Sequence, residues 1–375
     1  MTIGIICEYN PFHNGHIYHI NKIKSMYPNC TIVAVMSGAI TQRGDISIIN
    51  KWDKAEIALK YGIDLVVELP FVYAVESADM FAKGAIQILN ELGIDKIVFG
   101  SESNDINKLK FLAQIQLSND YEKLIKNYSK ELSYPEASAK ALNDLAKVNL
   151  NTPNDILGVS YIREIIKNNY KIEAESIKRT NDYNSKELDE IASATSIRYA
   201  IKNNINIKKY VPKETLDKID KSLDLDNYFN YIKYKIVSTD DLTYIFGIDE
   251  MIAPRIKKAI KNSNSLEELI NNIKTKKYSY NRIKRIIIYI LIDFKKDDFN
   301  DINYIRILGF TKKGKAHLSK LKKQIKLPLI TNYSNSNNLI NIDLKINSIL
   351  SLTKKNPQEF INKEIKEVIR KLDIN

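Results

Sequence analysis

Along the first hundred positions apolar residues fall into short blocks separated by amphipathic stretches. TIGIICEY (2–9), CTIVAVMSG (30–38), IDLVVELP (63–70) and IDKIVFGSE (94–102) are of strand length, and each gives way to glycine, proline or polar residues. Their apolar side chains occupy consecutive positions, the pattern of a strand covered on both faces. The intervening stretches, roughly 14–26, 50–61 and 76–92, repeat apolar residues at helical spacing. Strands alternating with helices predict an α/β fold built on a parallel sheet. In such sheets ligands bind beyond the carboxyl ends of the strands.

Residues 105–150 read as helical, with a break at Tyr134-Pro135. A Thr-Pro-Asn turn at 152–154 opens a further helix, and KIEAESIKRT (171–180) reads as a fifth strand ending in Lys178 and Arg179. From about 185 helical patterning takes over, over 186–204, 214–236, 240–262, 265–275, 279–292 and 312–325. The end holds a strand-like KLPLIT, an Asn/Ser-rich loop (NYSNSNN) and a lysine-rich helix. No internal repeat is visible. The pattern divides the chain into two domains, 1–200 and 201–375.

Composition adds exclusions. No run of apolar residues is long enough to cross a bilayer, and MTIGIICEYN reads as a strand, with none of the basic region or cleavage site of a signal peptide. Cys7 and Cys30 form neither a metal-type pair nor a disulfide framework. A soluble, cytoplasmic protein is expected. The net charge of +12 is unevenly spread: the first 200 residues are slightly acidic and the remainder holds all the excess cation. Such asymmetry points to a polyanion, nucleic acid above all, against the second half; a solvated basic surface is the alternative.

Three of the four histidines, His13, His16 and His19, lie in or just beyond EYNPFHNGH. A loop feeding a helix N-terminus offers free backbone N–H groups and the positive end of the helix dipole, which suits phosphate. Gly15 allows close approach, and imidazoles three residues apart share a helix face. Histidines without a ligand remain the alternative. Later, Ser193-Ala194-Thr195-Ser196-Ile197-Arg198 is either a helix N-cap or a second phosphate-binding turn. In MSGAITQRGD and just beyond it, Gln42, Arg43 and Lys51 are candidates for an acid or for RNA phosphate, or Arg43 simply pairs with Asp45.

His-x-Gly-His after the first strand resembles the nucleotidyltransferase superfamily. More specifically, GIICEYNPFHNGHIYH, MSGAITQRGD, INKWDKAEIALKYGIDLVVELP, IVFGSES, PNDILG, IKRT and SATSIR occur in this order and resemble the bacterial tRNA(Met) cytidine acetate ligase family. RIKRIIIYILI and YIRILGFTKKGKAHL extend the resemblance more loosely. It implies a Rossmann-like parallel-sheet nucleotidyltransferase domain followed by a mainly helical C-terminal region. It also implies activation of acetate by ATP to acetyl-adenylate, then acetylation of N4 of the wobble cytidine in elongator tRNA(Met). ATP would be a substrate accompanied by Mg²⁺, with no tightly bound cofactor and no dedicated metal site.

Carried over by position, the ATP site comprises Cys7, Glu8, Tyr9, Asn10, Pro11, Phe12, His13, Asn14, Gly15, His16, Ile17, Tyr18, His19 and Ile20. Gly100, Asn154 and Arg179 join it, and the serine turn adds Ser193, Thr195 and Arg198. His13 and His16 would be catalytic. Where the family favours arginine, asparagine and a Tyr-His stretch, this chain has Lys54, Asp155 and TNDYN (180–184). The basic helical half would track tRNA through Arg282, Lys284 and Arg285, then Arg306, Lys312, Lys313, Lys315, Lys320, Lys322 and Lys323, with Tyr278 and Tyr280 as stacking surfaces. No general base for acetyl transfer is visible in the sequence. A small-molecule adenylyltransferase and a nonenzymatic RNA-binding protein remain the rival readings.

Overall fold

The computed structural model describes residues 1–179, 192–332, 338–366 and 370–372. The TNDYN departure, the Asn/Ser-rich loop from 333 and the start of the helix expected over 186–204 lie outside them. The five anticipated strands form: β1 (Thr2–Cys7), β2 (Thr31–Ser37), β3 (Leu65–Leu69), β4 (Lys96–Ser101) and β5 (Glu173–Lys178). They pair in parallel in the order β5-β4-β1-β2-β3. The chain thus steps outward from β1 on one side, then resumes at β4 on the other.

Alternate strand residues serve two cores. Ile32, Ala34 and Met36 pack with Ile20, Ile23, Trp52 and Leu59 from the helices Asn14–Met26 and Lys51–Lys60. Val33, Val35, Val67 and Phe99 pack with Phe81, Ile88 and Val159 from the helices Ala78–Glu91 and Pro153–Lys167. Full burial of each such aliphatic side chain contributes about 1.5–3 kcal/mol. The second core runs on into the helices of the second half, through Ile232, Ile256, Ile283 and Ile287.

Two strands, Ile305–Thr311 and Arg370–Leu372, have no counterpart in the sequence reading, which puts a lysine-rich helix at the end of the chain. β6 (Ile305–Thr311) lies antiparallel beside β3, with Leu65 opposite Phe310 and Val67 opposite Ile307. The last strands, β7 (Leu329–Ile330) and β8 (Arg370–Leu372), flank β6 in parallel. The sheet therefore draws on both halves of the chain.

Some helices differ from expectation. The 105–150 stretch is three helices: the expected break falls just before Tyr134, with Pro135 in the first turn of the helix Tyr134–Ala146, and a further break separates Ile106–Gln116 from Asn119–Tyr128. Of 240–262 only Ile252–Lys261 is helical. Gly247 turns with φ +75°, and the Asp249 carboxylate takes the N–H groups of Met251 and Ile252, starting the helix there. The 214–236 stretch is also interrupted, by a 3₁₀ turn at Leu225–Tyr228.

A buried ion cluster joins the sheet to the last helix, Pro357–Lys366. Lys51 Nζ lies 2.8 Å from Glu68 Oε1 and 2.7 Å from Glu364 Oε1. Arg306 pairs with the same Glu364, and its guanidinium sits 5.3 Å from the Trp52 ring. Burial, with the neighbouring Glu68 and Glu364 carboxylates, holds the Asp343 carboxyl well above its ordinary range. Lys51 and Arg306 face the carboxylates of Glu68 and Glu364. Replacing Arg306 with leucine leaves Glu68 and Glu364 to share one ammonium, and about 3–5 kcal/mol of stability should be lost. Urea titration of Arg306→Leu measures this; a loss below about 1 kcal/mol, the level of an exposed pair, would show the cluster to be dispensable.

Candidate active site

β1 ends directly beneath the motif. Tyr9 takes φ +49°, a left-handed turn that redirects the chain, and a cis bond joins Asn10 to Pro11. His13 then caps the Asn14–Met26 helix. Its Nδ1 accepts the N–H of Gly15 at 3.1 Å, and its own backbone N–H donates to Nδ1 of His16 at 3.1 Å. An Nδ1 that accepts must carry a lone pair, so the proton of each neutral ring is on Nε2. The two rings lie 3.8 Å apart. Burial, reinforced by Arg179 and Arg198, pushes His13 down to about 3; burial, with His13 and Arg179, takes His16 well below the ordinary range; burial and Arg179 take His19 to about 4. At neutral pH all three are uncharged, and His13 and His16 each have an Nε2–H available to donate.

The strand order reverses beside β1, and the other elements meet there. Gly100 lies at the end of β4 and Arg179 follows β5. A β-carbon at Gly100 would lie 3.2 Å from the Arg179 side chain, which fills the space beside it. Ser193 caps the Ala194–Lys202 helix by accepting from Ser196 N–H at 3.1 Å. Arg198 on that helix donates to the Asn10 carbonyl at 2.7 Å, and its Nη2 is 3.9 Å from Asp45 Oδ2. The two histidines, Gly100, Arg179, Ser193 and Arg198 line one cavity of about 1090 Å³, large for a small-molecule site.

Of the residues assigned to ATP, Cys7, Glu8, Tyr9, Asn10, His13, Gly15, His16, Tyr18, His19, Gly100, Asn154, Arg179, Ser193, Thr195 and Arg198 line this cavity. Five do not. Phe12 and Ile20 are fully buried in the apolar core under the motif, Pro11 is buried and Ile17 packs against that core. Asn14 turns away to donate to the Lys209 carbonyl. The contiguous run therefore mixes wall and foundation, because a helix presents only one face to the ligand. Asn154 donates to Glu102 at 2.6 Å, and Asp155 accepts the N–H groups of Glu102 and Ser103, fixing the loop after β4.

The basic residues separate. Arg282 and Arg285, on the Tyr280–Leu291 helix, line the cavity together with Arg43, Lys277 and Lys296. Lys284 instead pairs with Asp45, and Gly44, at φ +80°, packs against the backbone of Lys284 and Arg285. Lys312, Lys313 and Lys315 follow antiparallel β6, which places them at the opposite edge of the sheet, where Lys313 reaches the Cys30 carbonyl. Arg306 and Lys51 are consumed by the buried ion cluster. Tyr278 is buried with its hydroxyl on Asp249 and the Arg282 guanidinium 4.8 Å from its ring, so it is not an open stacking surface, whereas Tyr280 is half-buried and donates to Glu267.

Sequence reasoning gave Lys54 no role, yet it is fully buried. Its ammonium donates to the carbonyls of Glu8, Ser37 and Gly38, all at 2.9 Å, tying the end of β1 to the end of β2. In the sequence Lys54 is set among Trp52, Ala55, Ile57 and Ala58, with Lys51 one turn before it.

Comparison with known proteins follows the same lines. The HIGH Nucleotidyl Transferase family matches residues 1–364. The chain is 38% identical to the tRNA(Met) cytidine acetate ligase of Caldicellulosiruptor saccharolyticus over 97% of both chains. It is 37% identical to the protein of that name from Bacillus subtilis, over 95% of this chain and 93% of the relative. Thermotoga maritima TmcAL bound with alpha-thio ATP superposes with a TM-score of 0.89 at 29% identity, over the full length of both chains.

The buried imidazoles make stability pH-dependent. Unfolded histidine titrates near 6.5, whereas folded His13 and His19 stay neutral down to about 3 and about 4. Below about 6.5 the unfolded chain binds protons that the folded one refuses, so stability falls as pH drops, by up to ~1.4 kcal/mol per pH unit for each ring. Melting temperature should decline from about pH 7 to about pH 5, and His19→Asn should flatten that decline. A melting temperature unchanged over this range would contradict the burial argument.

Proposed function

This chain belongs to the HIGH nucleotidyl transferase family, and we infer that it is an ATP-dependent tRNA(Met) cytidine acetate ligase. The observation that carries this reading is one cavity walled on one side by the HNGH motif with Arg179 and Arg198, and on the other by Arg282 and Arg285 of the helical half. A small-molecule adenylyltransferase needs only the first wall. The acyl donor is acetate, activated as acetyl-adenylate, and the acceptor is N4 of the wobble cytidine of elongator tRNA(Met).

Acetate is an anion and a poor electrophile, and the cytidine amine is a poor nucleophile because its lone pair is delocalised into the ring. Adenylation removes the first obstacle. An acetate oxygen attacks the α-phosphorus in line, the bond to the bridging oxygen breaks, and pyrophosphate leaves. The protein contributes positioning and stabilisation of phosphoryl charge. His13 and His16 donate their Nε2–H groups to phosphoryl oxygens, while Arg179 and Arg198 supply compensating charge. Among the described residues no three His, Cys, Asp or Glu side chains converge as a metal-binding group. Mg²⁺ accompanying the ATP would supply further neutralisation of phosphoryl charge.

Residues 1–200 carry the nucleotide chemistry, and 201–375 bring the RNA to it. The anticodon loop fits because single-stranded bases can be splayed from their stack and read individually. Among the described residues no helix is long and apolar enough to cross a membrane, and the substrate places the reaction in the cytoplasm.

The purified protein should exchange labelled pyrophosphate into ATP only when acetate is present, and acetylate tRNA(Met) when that is added. His16→Ala should lower the exchange rate about 100-fold or more. Absence of exchange in folded wild-type protein, with and without tRNA, would sink acetate activation. For the RNA wall, Arg282→Gln with Arg285→Gln should weaken tRNA binding and flatten the dependence of log affinity on log salt. The slope should fall by about 0.7–0.9 for each phosphate no longer neutralised. If Lys312→Gln with Lys315→Gln produces that change instead, the RNA lies on the opposite edge of the sheet.

A further inference from the structure

We propose that Glu8 is the general base of acetyl transfer, accepting the N4 proton of the cytidine as that nitrogen attacks the acetyl carbonyl. The proposal rests on the functional reading above. The new N–C bond forms as the bond between the acetyl carbon and the phosphate oxygen breaks. That electron pair leaves on AMP, and the surplus proton of N4 passes to a Glu8 carboxylate oxygen. Amide formation must shed this proton, and among the described residues the other candidate acceptors on the cavity wall are otherwise engaged.

Among the described residues, four carboxylates line the cavity: Glu8, Asp45, Glu76 and Asp79. Asp79 is saturated, with Oδ1 taking Arg163 at 2.7 Å and Ser160 at 3.2 Å while Oδ2 takes the Tyr134 hydroxyl at 2.7 Å. Asp45 lies between Lys284 and Arg198, cations that hold it in the charged, weakly basic form. Glu76 folds back on its own chain, with Oε2 on the Ser77 N–H at 2.5 Å. His13 and His16 carry their protons on Nε2 and are donors toward the cavity. Burial pushes the Cys7 thiol up to about 12 and the Tyr161 phenol higher still, so both remain protonated.

Glu8 differs from all of these. It sits at the carboxyl end of β1, immediately before the turn into the histidine motif. Its Oε1 accepts the Gln42 N–H at 2.6 Å, which fixes the carboxylate plane. Burial raises its affinity for a proton above that of an ordinary carboxylate, the direction a general base near neutral pH requires. The groups facing it are Lys54 from the Lys51–Lys60 helix, Arg198 from the Ala194–Lys202 helix, Asp45 from the loop after β2, Tyr161 from the Pro153–Lys167 helix, and Cys7 on its own strand. Lys54 and Arg198 oppose the rise and Asp45 adds to it.

The test uses synthetic acetyl-adenylate, which bypasses activation, with tRNA(Met) and full-length enzyme in single turnover. Glu8→Gln keeps an acceptor for the Gln42 N–H but cannot take a proton. Transfer from acetyl-adenylate should fall about 100-fold or more, clearly more than acetate-dependent pyrophosphate exchange falls in the same variant. The acidic limb of the wild-type transfer profile, where rate rises as Glu8 ionises, should vanish in Glu8→Gln and persist at a lower rate in Glu8→Asp. Equal losses in exchange and transfer would make Glu8 a nucleotide-site residue and overturn the proposal. So would undiminished transfer by Glu8→Gln, or appearance of the effect in Glu76→Gln instead. If wild-type enzyme itself cannot use acetyl-adenylate, the functional reading fails first and takes this proposal with it.

Discussion

Beside β1 the strand order reverses, and the site depends on that reversal. The crossover to β2 and the one that returns through β4 leave in opposite directions, so their loops part above the strand ends. The groups that line the cavity there enter the gap largely from strand termini: Glu8 and the histidine motif from β1, Gly100 from β4 and Arg179 from β5. The Lys54 ammonium holds the gap's floor by satisfying three carbonyls where β1 and β2 stop. Backbone acceptors left dry at that depth would each cost about 1–3 kcal/mol, so the buried lysine is a structural requirement of the opening above it.

The molecule uses its charges in two ways. In the cavity, the histidines are kept neutral with their protons on Nε2, while positive charge is carried by guanidinium groups that cannot deprotonate, alongside Lys277 and Lys296. That separation lets donor geometry stay constant across the pH range in which a free imidazole would change state. Behind the sheet, Lys51, Arg306, Glu68 and Glu364 are sealed from water and fasten the last helix to β3 and β6. The same residue types thus line an open cavity on one side and exclude solvent on the other, and only burial distinguishes the roles.

That distinction explains what could be read in advance. β1 to β5 were legible because each is a short apolar run with turn residues behind it, and HNGH and SATSIR were legible because their chemistry is local in sequence. Side-chain destinations were not. Phe12 and Ile20 lie within the motif yet face the core, and Lys51 and Arg306 look like surface cations yet are buried. Arg285 and Lys312 look alike in sequence but stand at opposite edges of the sheet, because β6 runs antiparallel and delivers its following helix to the far end. The depth at which Glu8 is buried gave no signal, since a carboxylate's surroundings depend on residues distant in the chain. β6 itself was missed because IRILGFT sits in a helical neighbourhood and pairs with a strand from the other half.

That pairing has a consequence for biosynthesis. Until residues 305–311 have left the ribosome, β3 has no neighbour on its outer side, although Leu65, Val66 and Val67 were made long before. An unpaired apolar strand edge invites pairing with another nascent chain. The first half of the chain therefore waits, exposed, for the second half that will complete its sheet. A chain that stops short of β6 leaves that edge open permanently, which makes arrest of translation in the second half a hazard of aggregation.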